Sequence, residues 1–307
     1  MISFERVLVM GAGAVGGYFG GRIAERTAVE VSLIARGRHL TAIQNEGLKI
    51  KSVNGDSVVH VKAYDDPAKA NQPDLILFTV KSYDTPAAVK KIMPVVGDET
   101  QILTIQNGIE NYPALVEAFG AERVVQGFCK IGAGITESGV IAHKALGEIT
   151  VGEKDGSTSP RLKKIQLLCD ESEIPLHITG NIEREVWLKF AWNGVFNMIT
   201  AVANVTVEKL FADDKMEKLC YDVFREIKAV AGAEGVILTD EDGQNIIEPS
   251  LQLKGFETST YQDRQKGKKL EYEAFTGAIV RLAQKHDIAV PHNETLYSFL
   301  KVIDKNL

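Results

Sequence analysis

The sequence predicts an α/β domain built on a parallel sheet, followed by an all-α domain. Three observations carry this. Short apolar runs alternate with amphipathic stretches up to about residue 180, and a glycine-rich turn joins the first run to the first helix. Beyond that point helical periodicity dominates. A length of 307 residues suits two domains, each able to bury a core. Val7–Met10 is expected as a short buried strand, and Gly11 to Arg26 as a turn entering a helix. Glu30–Ala35 follows as a second strand. Leu48–Val53 and Ser57–Ala63 flank Asn54-Gly55-Asp56, which predicts a hairpin closed by a type I′ turn. Asp74–Val80 and Gln101–Ile105 read as further apolar strands, Pro160 to Asp170 as a helix, and Pro175–Ile178 as a strand. Helical spacing then runs from Ile182 to Ala203, Asp214 to Glu234 and Thr258 to Lys285. The boundary is placed at residue 180, giving domains 1–180 and 181–307.

Composition narrows the function. With 45% hydrophobic and 25% charged residues the chain has the make-up of an ordinary globular protein. No stretch reaches ~18 uninterrupted apolar residues, which argues against a membrane span. A net charge of −6 argues against a nucleic-acid partner, which would want a basic face. Three cysteines, Cys129, Cys169 and Cys220, stand far apart without a CxxC. They fit a reducing cytoplasm and support neither a disulfide framework nor a zinc site. The start lacks the layout of a secretory signal. A cytoplasmic protein is expected.

Gly11-Ala12-Gly13-Ala14-Val15-Gly16 is a GxGxxG directly after an apolar run and directly before a helix. The first glycine permits the tight turn, the second lets the backbone approach a pyrophosphate, and the third lets helix and strand pack closely. The helix N-terminus offers N–H groups and partial positive charge to the phosphates. An ordinary turn is the rival, but the strand–turn–helix context favours a Rossmann-type dinucleotide site. An NAD site usually has a carboxylate ~20 residues further on, bonding the ribose 2′-OH. That count reaches Arg36, in Ile34-Ala35-Arg36-Gly37-Arg38. A guanidinium suits a 2′-phosphate, so NADPH is expected over NADH, a solvated basic loop being the alternative.

Lys81 follows the run LILFTV, and Asn107 follows ILTIQ. Ligands of open α/β sheets lie outside the carboxyl ends of the strands, so both residues point to the cofactor crevice. The competing roles are a solvated lysine and a helix-capping asparagine. In the second domain, Lys189, Asn193 and Asn197 stand at i, i+4 and i+8 in an otherwise apolar helix. Such groups are costly to bury unless satisfied, either by a polar ligand or by a buried hydrogen-bond network or interdomain contact. Six scattered histidines form no HxH or HxxxH, so no metal is expected.

These residues resemble the ketopantoate reductase (2-dehydropantoate 2-reductase) family over nearly the whole chain. The resemblance rests on GAGAVG, TVKS around Lys81, QNG around Asn107, VWLKFAWNGVFNMITA, TSTYQD at Thr258–Asp263, and the stretch from Glu271 to Ile288–Pro291. It implies a Rossmann domain and a helical domain with substrate in the cleft between them. It implies that Gly11, Ala12, Gly13, Ala14, Val15 and Gly16 bind the pyrophosphate, Arg36 and Lys81 the 2′-phosphate, and Asn107 the nicotinamide side and substrate. Ala133 matches a backbone cofactor contact, and Glu271 an acidic residue beside the ribose and the lysine. Lys189 matches the general acid, and Asn193, Asn197 and Ser259 match substrate-binding positions. A further substrate-binding asparagine of some members aligns with Val207, although Asn204 is nearby, and this departure bears on the exact substrate.

The activity so implied is NADPH-dependent reduction of ketopantoate to pantoate, a step of pantothenate and coenzyme A biosynthesis. The expected partners are a small 2-oxo acid and a second copy in a homodimer. Three alternatives stand beside it: a related 2-oxo acid reductase (D-2-hydroxyacid dehydrogenase) on the same scaffold, a non-catalytic NADPH-binding regulator, and a structural or interaction module, which would leave the glycine turn and the polar stripe without a use.

Overall fold

In a computed structural model describing residues 4–307, the chain divides into two compact units. One runs to Asn107 and resumes over Asn111–Ile182; the other takes Gly108–Glu110 and Glu183–Leu307.

The first unit holds strands β1 (Arg6–Met10), β2 (Glu30–Ile34), β3 (Leu48–Ser52), β4 (Ser57–Val59), β5 (Lys62–Tyr64), β6 (Leu75–Phe78), β7 (Gln101–Thr104), β8 (Val124–Glu137), β9 (Val140–Gly152) and β10 (Leu176–Ile178). Its helices are α1 (Ala14–Arg26), α2 (Gly37–Glu46), α3 (Thr85–Ile92), α4 (Asn111–Phe119) and α5 (Pro160–Glu171). The strands form one sheet in the order β4-β3-β9-β8-β7-β6-β1-β2-β5, with β10 pairing β9. From β5 to β8 every pairing is parallel. The order reverses at β1, with β2 on one side and β6 on the other, which is the switch point of a doubly wound sheet. The fold is Rossmann-like, as the alternation of apolar runs predicts.

The central strands are apolar throughout because both faces are covered. Along β1, Val7 and Val9 join one core with residues of α1 and α5, while Leu8 and Met10 join a second with Ala88, Ile92 and Leu115 of α3 and α4. The register levels the carboxyl ends: Met10 pairs with both Ile34 and Phe78, and Phe78 with Thr104. One rim therefore carries the turn after β1, Arg36 after β2, Lys81 after β6 and Asn107 after β7.

Two expectations in this unit are corrected. The hairpin exists, but Ile50 pairs with Ser57, so the connection is longer than a two-residue turn. Gly55 N–H donates to Ser52 O, and Gly55 alone of the loop has positive φ, so the turn is not type I′. The run Ser57–Ala63 also divides: β4 pairs β3, whereas β5 pairs β2. The long antiparallel hairpin of β8 and β9 is an addition that the apolar pattern did not signal.

The second unit is helical: α6 (Ile182–Ala203), α7 (Val207–Leu210), α8 (Asp214–Ala233), α9 (Asp240–Ser250), α10 (Ser259–Gln265), α11 (Thr276–His286) and α12 (Pro291–Lys305). α6 matches its expected span and lies deep in the core, with Phe190, Val195, Phe196 and Met198 buried. The expected helix from Thr258 to Lys285 is broken. Gly267 takes a left-handed φ of 60°, Leu270 N–H is held by Asp304, and a short 3₁₀ turn at Tyr272–Ala274 precedes α11. No helix among the described residues is long and apolar enough to cross a membrane.

Candidate functional site

The glycine turn is the first part of the site. Gly11 has φ 103°, and a Cβ there would stand 2.9 Å from the backbone nitrogen of Val80. A Cβ on Gly16 would strike Thr79 Oγ1 and Gly11 O. Both glycines are therefore required by the fold itself. Gly13 differs: a Cβ there meets nothing within 4 Å. The fold leaves room for a side chain at this position, so the bare backbone suits a group approaching from outside. Gly13 is also the N-cap of α1, where no side chain caps the helix and no acidic residue occupies the first turn. The opening N–H groups of α1 thus keep the character of an anion site. This arrangement fits the pyrophosphate of a dinucleotide.

Neighbouring strand ends pin the turn. Ala12 N–H donates to Ile34 O at 2.8 Å, and Thr79 Oγ1 donates to Gly11 O at 2.8 Å. His39, on α2, faces Ala12 O with Nε2 at 3.0 Å and Gly139 N–H with Nδ1 at 2.9 Å. A carbonyl only accepts and an amide N–H only donates, so both partners together require neutral imidazole with the proton on Nε2. Burial holds the His39 pKa below its ordinary 6.5, against the opposing pull of Ala12 O. Below that ordinary value the unfolded chain takes up a proton that the folded chain refuses. The stability contribution is therefore complete above about pH 6.5 and is lost as pH falls through the folded pKa. We expect the thermal midpoint of the wild type to fall more steeply between about pH 7 and pH 5 than that of His39→Gln, whose amide can serve both partners without titrating. Equal slopes would remove His39 from this role.

After β2, Arg36 is the N-cap of α2 and its side chain is 77% exposed. Its Nη2 lies 2.7 Å from Asp84 Oδ2. Lys81 precedes the 3₁₀ turn Ser82–Asp84 that carries this carboxylate. Beyond β7, Gln106 Nε2 donates to Val80 O at 2.8 Å, and Asn111 Nδ2 to Asn107 O at 2.7 Å. Asn107 is thereby fixed through its backbone on the same rim. Ala133 lies on β8 opposite His143, next to a register shift at Gly132.

The second unit carries a polar row of its own. Lys189 is half-buried on α6, its ammonium 5.2 Å from the centre of the Trp192 ring, a cation–π contact. Asn193 and Asn197 are 3% and 1% exposed. Asn197 Nδ2 donates to Ser259 Oγ at 3.2 Å, bringing the start of α10 onto the row. Its Oδ1 is buried with no hydrogen-bond partner among the described residues. Such a group costs about 1–3 kcal/mol unless something satisfies it. A donor on a bound ligand would do so. Next along, Thr200 and Thr258 share a bond of 2.7 Å, and Arg264 caps the carbonyls of Ala201 and Val202. Glu271 is 6% exposed, at the N-cap of the 3₁₀ turn before α11.

Val207 is fully buried in the helical core. Asn204 ends α6 in a left-handed conformation, φ 61°, with its side chain held by Gln265. Neither extends the amide row, which ends at Asn197. Thr79, His39, Asp84, Thr200 and Thr258 were not singled out from the sequence. Four of them had a signal: Thr79 and Asp84 lie within three residues of Lys81, and Thr200 and Thr258 fall inside the quoted motifs VWLKFAWNGVFNMITA and TSTYQD. Cys169 and Cys220 are buried thiols whose pKa burial pushes up to about 12, which leaves them protonated at neutral pH. No cluster of three or more His, Cys, Asp or Glu suited to a metal occurs among the described residues.

Known proteins resemble this chain over nearly its whole length. Residues 7–156 match the family model described as ketopantoate reductase PanE/ApbA, and residues 181–304 match its C-terminal counterpart. A 2-dehydropantoate 2-reductase of Halobacterium salinarum is 30% identical over 302 residues, covering 98% of this chain and 99% of that one. The crystal structure of a PanE/ApbA family ketopantoate reductase from Ralstonia eutropha JMP134 superposes with a TM-score of 0.91 at 31% identity, covering 98% and 99% of the two chains. A D-mandelate dehydrogenase solved with NADH and anilino(oxo)acetate shares the fold, with a TM-score of 0.90 at 22% identity and 98% coverage of each chain. With both family models matched across most of its length, the chain belongs to the ketopantoate reductase family of oxidoreductases.

Proposed function

We propose that the chain reduces ketopantoate (2-dehydropantoate) to pantoate with NADPH, a step of pantothenate and coenzyme A synthesis. The observation that carries this reading is the row of half-buried Lys189 and buried Asn193 and Asn197, with Ser259 bonded to its end. In this assignment residues 1–180 hold the nucleotide and residues 181–307 supply substrate binding and catalysis.

Gly11–Gly16 bind the pyrophosphate through backbone N–H groups and the helix terminus. Arg36 and Lys81 take the 2′-phosphate, Ala133 contributes through its backbone, Asn107 serves the nicotinamide side and substrate, and Glu271 stands by the ribose and the lysine. When bound, the reduced nicotinamide supplies the hydride. Reduction of a ketone places negative charge on its oxygen. The Lys189 ammonium stabilises that charge and gives the same oxygen a proton. Asn193, Asn197 and Ser259 hold the carboxylate and the hydroxyl of the substrate, and apolar side chains of α6 suit its branched carbon.

The likeness to D-mandelate dehydrogenase supports a second reading, a 2-oxo acid reductase of other substrate preference. Purified protein tested for NADPH oxidation with ketopantoate, 2-oxoisovalerate and phenylglyoxylate separates the two. Ketopantoate is expected to be fastest. A preference for phenylglyoxylate overturns the first reading in favour of the second. Nucleotide binding without turnover of any substrate overturns both, in favour of a non-catalytic NADPH-binding regulator.

A further inference from the structure

The two features that usually separate NAD from NADP sites occur here together. Dinucleotide folds commonly recognise a ribose 2′-OH with a carboxylate at the end of the second strand, or a 2′-phosphate with an arginine nearby. In this chain the arginine stands after β2, and a carboxylate is brought to it from beyond β6. Arg36 Nη2 and Asp84 Oδ2 are 2.7 Å apart, although 48 residues separate them in sequence. The parallel register of β2 with β1, and of β1 with β6, makes this meeting possible.

We infer that Asp84 is a specificity-determining residue, one that restrains the preference for NADPH and gives NADH a foothold at the same ribose. The inference rests on the nucleotide-binding reading above. Its physical basis is a charge balance. The Arg36–Asp84 pair is neutral as a unit, so much of the guanidinium's attraction for a dianionic phosphate is already taken up. A 2′-phosphate at Arg36 must compete with the Asp84 carboxylate or stand beside it, and two anions sharing one cation repel. A 2′-hydroxyl meets no such opposition, because it can donate to the carboxylate while Arg36 stays paired.

Asp84 occupies the N-cap of α3 without making a side-chain cap bond. Its ion pair is partly solvent-exposed, Arg36 at 77% and Asp84 at 30%. Exposed pairs of this kind contribute little to stability. Asp84→Asn keeps the shape, removes the charge and should leave the fold intact.

The test measures dissociation constants of NADPH and NADH for wild type and Asp84→Asn by the fluorescence of the reduced nicotinamide, with the thermal midpoint as a fold control. The ratio of the NADH constant to the NADPH constant is expected to rise about tenfold in the variant, the scale of one charge-assisted hydrogen bond discounted for exposure. Higher salt should shrink that change. A ratio within twofold of wild type overturns the inference. So does a falling ratio, which would mean that Asp84 serves to orient Arg36 for the phosphate. If the wild type binds neither nucleotide, the underlying reading fails as well, whereas binding of both with an unchanged ratio sinks only the role of Asp84.

Discussion

Lys189→Ala is expected to lower kcat by ~10²–10⁴-fold, the usual cost of losing a positioned acid. The fold should survive. Lys189 is half-buried, and alanine is the best helix former for an interior position of α6. Nucleotide affinity should stay near the wild-type value, because the residues assigned to the phosphates lie in the other unit. Lys189→Arg divides the two roles of the ammonium. A guanidinium keeps the positive charge but does not release a proton near neutral pH. Partial recovery of kcat in Lys189→Arg would assign that share to charge stabilisation, and the remaining deficit to proton donation. Steady-state kinetics with ketopantoate, nucleotide titration and thermal midpoints together make the measurement. A kcat for Lys189→Ala within a fewfold of wild type would remove the residue from catalysis.

The parts of the fold that were legible in the sequence are those written locally. β1 is apolar at every central position because helices cover both faces of the sheet, and α6 is apolar on nearly all sides because it runs through the core. The glycine turn and the lysine–asparagine row were readable for the same reason, since each sits within one element. The hairpin of β8 and β9 was not. Its strands carry glycines and three register shifts, so no clean alternation of apolar and polar residues survives. Their partners are set by pairing across the sheet rather than by a local pattern. The loop after Ile50 misled for a related reason: Asn-Gly favours a two-residue turn, but the register of β3 with β4 demands a longer one. Asp84 and His39 show the same limit at the site. Asp84 reaches Arg36, and His39 spans from Ala12 to Gly139, only because the sheet and α2 bring distant segments together. Spacing along the chain holds no record of such meetings.

Substrate choice should follow from the buried amides. Ketopantoate carries a carboxylate, a ketone and a terminal hydroxyl, and 2-oxoisovalerate lacks the hydroxyl. Asn193 and Asn197 are almost wholly shut off from water, and Asn197 Oδ1 has no partner among the described residues. A substrate hydroxyl can donate to that oxygen, and the hydroxyl of Ser259 offers a further bond at its exposed edge. With 2-oxoisovalerate these groups go unmatched. Each unmatched buried group costs about 1–3 kcal/mol, or roughly 5- to 150-fold. Sites built to bond a hydroxyl reject its absence by up to ~10⁵-fold, but exposure of Ser259 lets water relieve part of the loss. We therefore expect kcat/KM for ketopantoate to exceed that for 2-oxoisovalerate by ~10²–10⁴-fold. Asn197→Ala supplies the internal control. It removes the orphaned oxygen, so it should lower kcat/KM for ketopantoate sharply and that for 2-oxoisovalerate much less, narrowing the gap between them. Comparable wild-type efficiency on the two acids, or equal losses in the variant, would mean that the row does not read the hydroxyl, and the broader 2-oxo acid reductase reading would take its place.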